Sequence, residues 1–118
     1  MEKIMRNVFR EMERCRVEVD TFSERLAEDP AHAFSWGSDA VMCAGTMEVL
    51  ERYYDWMVDV TKGVGEESLV MVSIRESAMR EVIRGARSPS RSTSPMHNLT
   101  DEGRLAGHAK MLEMLDFS

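Results

Sequence analysis

Only two cysteines, Cys15 and Cys43, occur in the 118 residues, far apart and without metal-ligand spacing. That excludes a disulfide framework and suits a reducing compartment. No apolar run approaches the ~20 residues that a bilayer span needs. The N-terminus, MEKIMRNVFREMERCR, alternates charges and has no apolar core, so it does not read as a signal peptide. A cytoplasmic chain without membrane contact is the expectation. Reactive signatures are missing as well. There is no HExxH, no paired CxxC, no Glu-x-x-His and no Walker loop, and the GVG of residues 63–65 is too short to cradle a phosphate. No metal, no cofactor and no catalytic set is therefore expected.

Positive charge is also in short supply. Fifteen Lys and Arg stand against 21 Asp and Glu, a net charge of −6. A general DNA or RNA binder displaces counterions with a positive field. This chain has the opposite sign, so direct contact with nucleic acid is not expected, whereas a protein partner with a basic surface would be attracted.

What is abundant favours helix. Hydrophobic residues make up 43% and charged residues 31%, a globular balance, and only three prolines interrupt a chain rich in Ala, Leu, Met, Glu and Arg. Met5, Val8, Met12, Cys15, Val19, Phe22 and Leu26 step by 3 and 4, a heptad seam that Ile4 and Phe9 widen. A helix to about Glu28 follows. Asp29 and Pro30 suit the N-cap and first position of a second helix reaching about Lys62, with Ala33, Trp36, Ala40, Cys43, Met47, Leu50, Tyr54 and Met57 on its seam. Gly37 and Ser38 invite a break or kink near its start. Residues 69–74 alone would suit a strand, but Met71, Ile74, Ala78 and Val82 extend the pattern as a helix that Gly85 could cap. Leu105, His108, Leu112 and Leu115 mark a fourth helix, capped at Asn98 or Thr100, and Gly103 and Gly107, one turn apart, would allow close packing. The sum is an all-α fold, a compact bundle of about four amphipathic helices in one domain over 1–118.

Histidine and cysteine offer little chemistry. His108 lies on an apolar seam, where a hydrogen-bonded structural role outweighs that of a base, and both cysteines sit on seams as small hydrophobes. Most of the eleven methionines fit core filling, and any left exposed would mark an adaptable binding surface. Two features rise above this background. Glu48, Glu51, Asp55 and Asp59 recur at helical spacing, with Tyr53 and Trp56 beside them. The plain reading is a solvated face. The functional reading is a contact patch whose aromatic anchors and carboxylates meet Lys or Arg of a partner. The second feature is the Ser/Pro-rich connection at about 85–98, which carries Arg87 and Arg91 and no acid. Its prolines and serines prevent helix, and its arginines either tie to the acidic faces of the bundle or are offered to a partner.

The function expected is that of a small acidic non-enzymatic binding protein that docks on a protein partner and inhibits or regulates it. In size and charge alone it is similar to phage-encoded inhibitors of nucleic-acid machinery such as anti-CRISPR proteins. One alternative is a homo-oligomeric adaptor that pairs through the heptad of the first helix. Another is an enzyme that couples His108 to a carboxylate from another helix.

Overall fold

The computed structural model describes residues 1–87 and 95–116, with only the backbone described for 33–35, 87 and 95–97. Among the described residues four α-helices carry the fold, α1 (Glu2–Glu28), α2 (Ala33–Thr61), α3 (Glu67–Arg87) and α4 (Pro95–Asp116), with a 3-10 turn at Pro30–His32. They pack on one another as an all-α bundle, with no strand among the described residues. The ambiguous stretch 69–74 is helical throughout. No helix among the described residues is long and apolar enough to cross a membrane.

α2 is the central helix. On one side it meets α1, where Phe9 lies against Tyr54 and Phe22 stacks on Trp36 with Arg25 above the indole. On the other it meets α4 so closely that glycine is required. A Cβ on Gly103 would stand 2.3 Å from the Met42 carbonyl oxygen, and one on Gly107 would stand 2.8 Å from Val49 Cβ. Thr46 ties the crossing by donating from Oγ1 to the Gly103 carbonyl at 2.8 Å. The core joins Val8 of α1, Val49, Leu50 and Met57 of α2, Ile74 and Ala78 of α3, and Met111 of α4. α3 leans chiefly on α4 and touches α2 sparingly.

The turn from α2 to α3 shows why KGVGEE holds two glycines. Lys62 caps α2, Gly63 takes φ +88°, and the Gly63 and Val64 N–H groups donate back to the carbonyls of Val60 and Asp59. This is a Schellman closure, and the left-handed residue in it suits glycine. Gly65 takes the same φ before α3 begins.

Several expected boundaries differ. Asp29 does not cap α2. It ends α1, donating its N–H to the Arg25 carbonyl, and its carboxylate holds His32 Nδ1 at 2.7 Å across the 3-10 turn that delays α2 to Ala33. Gly37 does not break α2, which runs unbroken through it and Ser38 because the stacked Trp36 and the α4 crossing fix the helix on either side. Gly85 does not cap α3. The helix continues to Arg87, and Gly85 instead makes room for Leu105 of α4. α4 begins at Pro95, whose missing N–H costs nothing in a first turn, so Asn98 and Thr100 lie within the helix. The Ser/Pro-rich connection is thus shorter at both ends than 85–98, and residues 88–94 lie outside the described residues.

Candidate docking face and groove

Because α2 is buried on both flanks, its remaining free side is narrow, and the carboxylates of the acidic stripe occupy it. Glu48, Glu51, Asp55 and Asp59 are all exposed. Glu48 is held by Arg104 of α4 at 3.2 Å, and Arg104 also reaches Asp101. Glu51, Asp55 and Asp59 make no ion pair among the described residues, a row of three carboxylates without a counterion.

Beside this row, α2 and α3 diverge and α4 floors the gap. The resulting groove has a volume of about 880 Å³. Arg52 and Trp56 form its α2 wall, Glu81 and Arg84 its α3 wall, and Leu105 and His108 its floor. Arg84 is paired with Glu81 along α3. Trp56, 38% exposed, keeps much of its indole open to solvent at the junction of the groove and the carboxylate row.

Tyr53 behaves differently from the exposed anchor expected of it. It is 4% exposed and belongs to the core. Its hydroxyl lies 2.7 Å from Nδ1 of His108 and 3.4 Å from Ser77 Oγ, linking both walls to the floor. The rings meet edge to face, with centroids 5.6 Å apart. Burial pushes the His108 pKa down, with the Glu81 carboxylate opposing, and burial pushes the Tyr53 phenol up. A neutral imidazole against a neutral phenol is the arrangement that a water-poor floor favours. His108 is therefore partnered by a hydroxyl rather than by a carboxylate.

The first-helix seam faces α2. Val8 and Cys15 are buried, with Met5, Met12, Val19 and Phe22 partly so. Cys43 donates to Glu18 at 3.2 Å, and burial together with that carboxylate pushes its thiol up to about 12. Burial raises Cys15 as well. Neither is an activated thiolate. Among the described residues no three His, Cys, Asp or Glu side chains gather as a metal site. Of the two arginines singled out, Arg87 ends α3 with its side chain outside the described residues, and Arg91 lies outside them altogether.

Sequence reasoning missed Arg52, Glu81, Arg84 and Arg104 as members of the site. A signal existed for the α4 side of α2: Gly45, Val49 and Tyr53 step by four, a second seam beside the one through Leu50 and Tyr54. No family model, no curated protein and no solved structure matches this chain.

Proposed function

We propose that this is a small acidic docking protein without enzymatic chemistry, and that it inhibits or regulates a protein partner by covering a Lys/Arg-bearing surface. The observation that carries the reading is the uncompensated row of Glu51, Asp55 and Asp59 beside the half-open Trp56 and the groove. Exposed carboxylates without counterions attract a basic surface over about a Debye length, and a half-open Trp supplies apolar anchoring once contact is made. The groove then offers a concave seat for one segment of the partner.

The experiment is capture of the partner from the native host, followed by association kinetics with the purified pair. Wild-type protein should retain a protein with a basic surface and bind it more slowly as salt rises. The double variant Glu51→Lys, Asp55→Lys should associate at least ~10-fold more slowly, with most of the salt dependence gone. Trp56→Ala should act mainly on dissociation. Unchanged binding in both variants would remove this face from the mechanism.

A further inference from the structure

α3 is apolar on two opposite sides. Val70, Ile74 and Ala78 point into the core. On the other side Leu69, Val72, Met79 and Ile83 are 64%, 56%, 46% and 47% exposed. With Glu76 they step 3, 4, 3, 4, and at about 100° per residue their stripe lies directly opposite the buried one. No described element covers it, and the groove opens on another flank of α3, where Ser77, Glu81 and Arg84 line it.

We infer that this stripe pairs with the same stripe of a second copy, antiparallel, about a twofold axis near the middle of α3. The spacing is that of a coiled-coil seam, which selects another helix as occupant. The charges select the same helix and the direction. Glu76, in the middle of the stripe, and Arg80, one turn on at its edge, are exposed, flank the proposed twofold axis, and form no ion pair with each other or with any described residue. A parallel pair in register would set Glu76 against Glu76. The antiparallel pair brings Glu76 of each copy opposite Arg80 of the other, twice, while Val72 packs on Ile83 of the second copy. Opposed helix dipoles favour the same direction. The stripe from 69 to 83 is only ~21 Å long. It buries less than the ~800 Å² per partner of a standard interface, so the dimer is weak. Both α2 faces stay free in it, so two docking surfaces become joined.

The test is sedimentation equilibrium of the full chain from ~1 to ~300 µM, the range in which a weak interface declares itself. The mass should rise from one chain toward two. Ile83→Lys should hold the protein monomeric throughout, with unchanged circular dichroism because the side chain is exposed. Glu76→Arg should weaken association by at least ~10-fold, and adding Arg80→Glu to it should restore the wild-type constant. A single-chain mass at every concentration overturns the proposal. So does undiminished association of Ile83→Lys, or a double swap no better than the single one.

Discussion

Gly103→Ala tests the α2–α4 crossing at its tightest point. The new Cβ would stand 2.3 Å from the Met42 carbonyl oxygen and 3.0 Å from the Met42 Cα and carbonyl carbon. All three are backbone atoms, so no side chain can swing aside, and the helices must part by ~1 Å to reach ordinary contact. Parting them stretches the 2.8 Å bond from Thr46 to the Gly103 carbonyl and opens the contacts around Gly45 and Gly107. Alanine in a helix interior gains ~1 kcal/mol over glycine. Overpacking costs ~1–3 kcal/mol and the weakened hydrogen bond about 1 more, with lost dispersion along the crossing in addition. The net expectation is a loss of ~2–3 kcal/mol, a fall in Tm of roughly 8–12 °C for a chain of this length. Urea titration followed by circular dichroism measures it. Gly37→Ala is the internal control, because nothing lies within 4 Å of its added Cβ. That variant should gain ~0.5–1 kcal/mol. If Gly103→Ala proves as stable as wild type, the close crossing is not what holds α2 to α4.

Further expectations follow from the groove floor and the thiols. Burial lowers the His108 pKa, so as pH falls below about 6.5 the unfolded chain takes up a proton that the folded one refuses, and stability drops. The urea midpoint should decline as pH falls below about 6.5, and His108→Gln should remove the part of that decline owed to this group. Tyr53→Phe leaves His108 Nδ1 without its 2.7 Å partner and should cost ~1–2 kcal/mol, read by the same titration. Cys43, with its thiol pushed up to about 12, should react with a thiol reagent at pH 8 at least ~30-fold more slowly than an ordinary cysteine of pKa about 8.5, the scarcity of thiolate being partly offset by the greater nucleophilicity of a more basic one. Glu18→Gln should speed it, and wild-type labelling at the rate of a free thiol would contradict the Cys43–Glu18 contact.

The helices were legible because their apolar residues repeat with helical period. α1 shows this best: Val8 and Cys15, the deepest residues of its predicted seam, are buried as that seam requires. α2 was read less well for a physical reason. A helix buried on two flanks has no single stripe, so the seam through Leu50 and Tyr54 hid the second one through Val49 and Tyr53, and Tyr53 was assigned to the surface. The glycines at 103 and 107 did announce a close approach, and they make one. Helix ends were misjudged where local signals competed. Asp29 satisfies His32 instead of a helix N-terminus, and Gly85 serves packing instead of termination. The acidic row was plain from spacing alone. The groove beside it depends on how far α3 stands from α2, a long-range quantity that no local pattern encodes.

That sparse contact between α3 and α2 has a consequence for hydrogen exchange. The amides of α2 and of α4 around Gly103–Met111 sit where two helices share buried surface, so their exchange waits for global unfolding. α3 is joined to α2 through Gly63 and Gly65 and shares less contact with its neighbours than any of the other three helices, which makes it the first helix to open. Since α3 forms the outer wall of the groove, an occupant would be registered less as protection of the face it touches on α2 than as a slowing of exchange along α3.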